Sequence, residues 1–361
     1  MNGSKGVLWA IVPLLASTSL HAGDVGVMTG ESRLELSGRV HAQFQTTSVD
    51  GFSPSSTFSI RRARLKATYE NLSGSMTGRL QFDVGEGKAV LKDGYVDLKL
   101  SDAVRVRMGQ FKKPFSLWEL TSTTKIPVIE RSNEILGTSN KHSANRVAVK
   151  DGGFAGRDIG VQVHGVSGRV EYAIGAFNGN GSNAEEDDDN GKSVGARLVM
   201  VAGNVRVGGA LSNRTVSDFT AISGADTTVS SENFQAVEAD LEYGTYEVEE
   251  NGPWLIGEVQ WGKNPQFGNT DTNFMGLVGV FSYNVLTPNS SLLHSVRPAV
   301  RIDFSQRNTG DDATRTTLVT PGLDIFFDSH NRLAIDLDVN VPNAGGEPTE
   351  YAVRAQFQVL I

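Results

Sequence analysis

The sequence predicts an all-β chain, a 16-stranded antiparallel transmembrane β-barrel whose long third loop folds inward. Three observations lead there. Apolar and polar residues alternate with period two along many short segments, as strands with two unlike faces require. The links between those segments are short after even-numbered strands and mostly long after odd-numbered ones, which is the rim layout of an outer-membrane barrel. Only 39% of the 361 residues are hydrophobic, too few for a bundle of membrane-spanning helices.

Taken in order, residues 7–20 form an apolar run of signal-peptide length behind Lys5, with a cleavage position after Ala22. Residues 1–22 are expected to be removed on export, which takes the net charge from −8 to −9. Residues 23–361 then form one barrel domain. So little chain separates Ala22 from the first strand that no coiled-coil or peptidoglycan-binding segment is expected between them. The absence of cysteine suits a chain that crosses an oxidising periplasm unfolded, where free thiols mispair.

The first strand sets Leu34, Leu36, Val40, Ala42 and Phe44 against Arg33, Glu35, Arg39, His41 and Gln43. The second sets Ala63, Leu65, Ala67 and Tyr69 against Arg62, Arg64, Lys66 and Thr68, and the third Met76, Leu80, Phe82 and Val84 against Thr77, Arg79, Gln81 and Asp83. In the fourth, Val96, Leu98 and Leu100 oppose Tyr95, Asp97 and Lys99. The fifth places Val104, Val106 and Met108 on one face and Arg105 and Arg107 on the other. Eleven more segments follow, at 157–165, 168–178, 193–202, 204–214, 233–245, 254–263, 272–285, 295–306, 315–327, 332–341 and 350–361. A soluble sandwich shows the same alternation but has no reason to sort its links by parity. The short links are 71–74, 101–102, 167, 203 and 328–331; the long ones are 47–57, 112–156, 179–192, 215–232, 264–271, 307–314 and 342–349. The link 85–87 is short on the long side, and 246–253 and 287–292 are long on the short side. Tyr69, Tyr243, Trp261, Tyr283, Phe327 and Tyr351 stand near strand ends, where interfacial aromatic girdles form.

The segment after Lys112-Lys113-Pro114 has no sustained period until Arg157. A structureless stretch of that length inside a regular β chain is most often functional, and residues 113–156 read as a constriction loop that narrows the lumen. Candidate anion-binding residues line its approach: Arg62, Arg64 and Lys66 on the second strand, Arg105 and Arg107 on the fifth, and Lys112 and Lys113 at the loop base. Alternate residues on one strand face are about 7 Å apart, so a row of guanidinium groups there attracts oxyanions and holds them by paired hydrogen bonds. The competing reading is that these cations are paired with neighbouring acids, such as Asp83 across the hairpin. Much of the acid lies in links, as at 185–189, where fields are screened within about 8 Å at physiological salt. Glu238, Asp240 and Glu242 nevertheless fall on the polar face of the tenth strand, and Asp336 and Asp338 on that of the fifteenth. The expected lumen is polarised, basic on one side and acidic on the other, which suits a general pore as well as a selective one.

The chain also resembles the phosphate-selective porin O and P family, through GQFKKPF (109–115), ELTS (119–122), IERS (129–132), IRRARLKATYENLSG (60–74) and GRDIGVQVHG (156–165). The resemblance implies a homotrimeric 16-stranded porin, integral to the outer membrane of a Gram-negative bacterium, with an arginine-lined path and an inward-folded third loop. It also implies that the last strand is the signal read by the barrel assembly machinery, although Ile361 stands where Phe is usual. The RRARLK and GQFKKPF cations fit the family pattern; a full arginine ladder with a periplasmic lysine cluster is not found.

No other motif carries chemistry. EDDDNG (186–191) opens like a calcium loop, but Arg197 occupies the position where a bidentate Glu is required. GGFAG (152–156) lacks the Gly-Lys-Ser/Thr of a phosphate loop. His142 and Ser143 have no nucleophile-site surroundings. No enzyme activity, cofactor, metal or nucleic-acid partner is expected. Two functions remain: passive diffusion of small inorganic anions (phosphate or other oxyanions, or no selectivity at all), and a surface receptor or structural barrel in lipid with a plugged lumen.

Overall fold

The computed structural model describes residues 25–28, 32–49, 53–132, 143–184, 191–223, 226–343 and 347–361. The expected leader and the acidic link 185–189 lie outside these residues, as does His142. Seventeen strands form one sheet. Sixteen of them close into a ring: β2 (Ser32–Val49), β3 (Ser55–Asn71), β4 (Met76–Asp83), β5 (Val90–Lys99), β6 (Arg105–Lys112), β7 (Arg157–Ser167), β8 (Val170–Phe177), β9 (Ser193–Ala202), β10 (Val205–Ser223), β11 (Asp226–Gly244), β12 (Gly252–Lys263), β13 (Asn273–Leu286), β14 (Ser295–Gln306), β15 (Arg315–Phe326), β16 (Arg332–Pro342) and β17 (Glu350–Leu360). Each pairs antiparallel with its sequence neighbours, and β17 closes on β2 from Glu350↔Val49 to Leu360↔Arg39. Closure leaves no unpaired strand edge, which lipid would penalise by several kcal/mol per orphaned group. The short β1 (Val25–Met28) pairs with the first residues of β2, below the point where β17 stops.

Alternation decides which face meets lipid. Along β13, Leu277, Phe281, Tyr283 and Val285 are exposed while Phe274, Val278, Val280, Ser282 and Asn284 are buried. Because every pairing is antiparallel, the links before β3, β5, β7, β9, β11, β13, β15 and β17 share the rim opposite Ile361, and the turns share the other rim. Two predicted long links are mostly strand. The stretch 215–232 is the upper part of β10 and β11, and 47–57 is shortened by β2 and β3. These Thr- and Ser-rich extensions carry no apolar stripe, so a periodicity reading had no signal to find there.

A register shift in β3 sets up the site. Between His41↔Arg62 and Ala42↔Ile60 one residue of β3, Arg61, has no partner opposite. Such a bulge re-aims side chains, and both Arg61 and Arg62 reach the same carboxylate, Glu130. Gly109 performs a related task in β6. Its φ of 128° is open only to glycine, and a Cβ would stand 2.2 Å from the Gly94 carbonyl oxygen.

Candidate functional site

The described parts of the segment 113–156 are bonded to buried side chains of β11–β16. Ser116, at φ 69°, donates from Oγ to Glu258 (2.7 Å) and accepts from the Glu119 backbone (3.1 Å), capping the short helix α1 (Leu117–Leu120). Glu258 also accepts from the Trp118 backbone N–H (2.7 Å), and Glu238 from that of Leu117 (3.3 Å). Further along, Asp336 accepts from the Ile129 N–H and Asp303 from the Ala144 N–H, each at 2.8 Å. Arginines hold the carbonyls: Arg332 donates to Ile126 (2.9 Å), and Arg301 to Glu130 (2.6 Å) and Arg131 (3.0 Å). Each such charged bond contributes about 1.5–3 kcal/mol.

Apolar packing completes the anchorage. Trp118, Ile126 and Val128 pack with Trp254, Ile256, Val278 and Val280 of β12 and β13, and Phe115 and Phe154 with Phe234 and Phe274. A β13 that is apolar on both faces is the sequence signal for this: its inner face is covered by protein, not water.

The acids expected to colour the lumen are consumed by this arrangement. Asp336 and Asp338 are buried at Arg354, Asp338 also bonds Arg301 (3.1 Å), and Asp324 holds Arg297 (2.8 Å) and Arg332 (2.7 Å). Arg197 takes Glu238 and Asp240 at 2.8 and 2.7 Å.

The predicted cations separate into three groups. Arg62 binds Glu130 (2.8 Å), Arg64 binds Asp83 (2.7 Å), Arg107 binds Asp97 (2.6 Å) and Lys112 meets Glu119 (3.1 Å); all four still line the central cavity. Lys66 stands 3.9 Å from Glu35 and lines a smaller space beside the C-terminal end. Lys113 does not face open lumen. It is 3% exposed, bonds the Gly153 carbonyl and faces Asp158 at 3.5 Å, so it clasps the two ends of the loop together. Burial lowers its ammonium to about 8 even beside that carboxylate. The Arg105 side chain makes no hydrogen bond or ion pair among the described residues and lines an adjoining cavity towards the turn rim.

Two loop carboxylates join the loop to the basic wall. Glu130 accepts from Arg61 at 2.7 and 3.3 Å and from Arg62 at 2.8 and 3.4 Å. Burial opposes its charge, but Arg62 and Arg61 outweigh burial and hold it well below the usual carboxylate range. Glu119 is likewise pushed up by burial and pulled down further by Arg131 and Lys112, to about 2.

The central cavity, about 450 Å³, lies between residues 120–131 of the loop and the inward faces of β2–β9. Among the described residues, nine cations line it (Arg39, Arg62, Arg64, Arg79, Arg107, Lys112, Arg131, Arg157 and Arg197) against one carboxylate, Asp93. Arg39 and Arg79, which the sequence reading placed on polar faces without assigning them a role, make no hydrogen bond or ion pair among the described residues. Arg79 has only the Tyr95 ring, 5.7 Å away.

A family model described as phosphate-selective porin O and P matches residues 34–311. The chain belongs to that family. It is an integral outer-membrane protein of a Gram-negative bacterium and a porin channel. No curated protein matches it by sequence. Solved porin-type structures share the fold at low identity. OprB of Pseudomonas putida in a high-pH structure has a TM-score of 0.62 at 10% identity, covering 91% of this chain and 94% of its own. The outer-membrane channel DcaP of Acinetobacter baumannii gives 0.59 at 10%, covering 96% and 100%. The trimer form of OmpT of Vibrio cholerae gives 0.58 at 11%, covering 91% and 99%.

Proposed function

We propose that this porin is an anion-preferring passive diffusion channel, in which the segment 113–156 folds across the lumen and leaves a path along β2–β9. The supporting observation is the nine-to-one charge ratio of the central cavity, with two guanidinium groups left uncommitted. A lining of that kind replaces part of an oxyanion's hydration shell and repels cations. Small inorganic oxyanions, phosphate among them, are the solutes such geometry favours, and the family name points the same way. A homotrimer is the proposed assembly, in keeping with the trimer form of the OmpT relative, and residues 1–22 are the proposed export leader.

The ion pairs of Arg62, Arg64, Arg107 and Lys112 favour a second reading, a general pore whose cations are structural. Reversal potentials in a salt gradient separate the two. Replacing Arg39 and Arg79 together with Ala shifts selectivity towards cations at low salt and weakens phosphate block of the chloride current. The Arg62→Ala, Arg64→Ala pair removes as much charge and also strips a partner from Glu130 and Asp83, so it loosens the loop as well as shifting selectivity. Wild-type ion preference in the Arg39/Arg79 variant at low salt establishes the general pore.

A further inference from the structure

The cavity on the turn side of the loop has a different chemistry from the central one. It encloses about 770 Å³, well above the central 450 Å³ and within the range of small-molecule sites. Part of its lining is apolar: Leu117 and Leu120 from the loop, Tyr172 from β8 and Tyr246 from the link before β12 are each partly open to it. A passage for inorganic ions alone has no use for such surface, because apolar groups facing a water-filled lumen gain nothing from it.

The charges there are unevenly committed. Every lining carboxylate has a cation: Asp102 has Lys99 (2.6 Å), Glu171 has Arg206 (2.6 Å), Glu242 has Arg206 (3.2 Å) and Asp240 has Arg197 (2.7 Å). Two lining cations have no carboxylate within ion-pair distance among the described residues. Arg105 has no hydrogen-bond partner, and Lys125 only the Tyr246 hydroxyl and ring, with Nζ 3.5 Å from the ring centroid. Uncommitted positive charge beside aromatic and aliphatic surface fits an amphipathic anion: the carboxylate takes the guanidinium, and the body displaces water from the apolar side.

We propose that this vestibule, which adjoins the central cavity at Leu120, Ser122, Gln162, Ala173 and Arg197, is a binding site for organic monocarboxylates with an aromatic or branched aliphatic body. The proposal rests on the reading of the lumen as an open path only for its effect on current.

Benzoate is the probe, with acetate as the control lacking the apolar body. Benzoate added from the turn side reduces chloride current through single channels at concentrations where acetate does not. Arg105→Gln raises its half-blocking concentration by about five- to tenfold, the loss of one charge-assisted bond in a partly wet site. Leu117→Ser, at a side chain that lines this cavity and not the central one, weakens benzoate while leaving acetate unchanged. Phosphate block, assigned to the central cavity, stays within twofold of wild type in Arg105→Gln. Isothermal titration of the detergent-folded barrel with benzoate supplies the same comparison without conductance. Benzoate binding with no anion preference overturns the proposed selectivity and leaves this site standing. Phosphate block with benzoate equal to acetate overturns this site alone. A fall in benzoate and phosphate by equal factors in Arg105→Gln also overturns it, since a general change of lumen potential accounts for that. A barrel that neither conducts nor binds benzoate overturns both.

Discussion

Glu130→Gln tests whether the loop tunes the charge of the path. The amide keeps the side chain's size but removes the negative charge and one of the two acceptor oxygens that serve the guanidinium groups of Arg61 and Arg62. Breaking a buried pair of this kind costs about 3–5 kcal/mol locally. The barrel ladder is untouched, so the loss falls on the loop, and exchange of the Ile129 amide, bonded to Asp336, rises by up to about a few thousandfold. The lumen gains one net positive charge at the edge of the central cavity. Seen by an anion about 7 Å away in water, that charge is worth about 0.6 kcal/mol, and more where water is restricted. Because the same charge disfavours a cation by as much, the anion-to-cation permeability ratio rises roughly sevenfold in dilute salt, and the gain shrinks as salt is raised. Reversal potential across a planar bilayer reads the ratio, and single-channel conductance checks that the path has not widened. A ratio unchanged at unchanged conductance refutes the idea that Arg61 and Arg62 reach the path once freed.

Acid should loosen the loop through Glu119. Its carboxyl is held at about 2 against an ordinary 4.5, so it contributes stability above pH 4.5, on the order of 3 kcal/mol, that disappears as pH falls towards 2. Loop amide exchange or conductance noise should rise over that window in the wild type and be flat in Glu119→Gln; an identical acid profile in the two proteins dismisses the assignment. Deleting residues 351–361 removes β17 and with it the pairings to β16 and β2. The truncated chain should give no heat-modifiable, protease-resistant species in the outer membrane, and recovering one would end the closure argument.

The barrel was legible because lipid on one side and water on the other force a period of two, and because turn length sorts by rim. What periodicity could not supply was the partner of each charge. Arg62 and Arg64 were placed on the correct face, yet their carboxylates come from Glu130, on the loop, and Asp83, on the adjacent strand. Only the second lies in a predictable register. Arg61 was legible in principle. Phe58 and Ile60 point outward at even positions and Ala63 and Leu65 at odd ones, so a one-residue bulge must lie between them. Lys113 was misplaced because a basic pair before Pro114 reads the same whether it faces water or closes a loop.

The inner wall divides its labour by arc. On β11–β16 it carries buried acids and arginines aimed at backbone groups, with apolar residues between them, and these hold the loop. An unpaired buried charge there would be costly, and nearly every one has a partner. On β2–β9 the same residue types face a cavity, and guanidinium groups outnumber the acids that could quench them. A lumen charged throughout by chance would show no such separation. The acids Glu258, Asp303 and Asp336 accept backbone N–H groups of the loop, which spends their charge on position. The excess that remains is therefore positive and lies on the open side. On the proposed reading, this is how a chain of net charge −8 lines its central cavity mostly with cations.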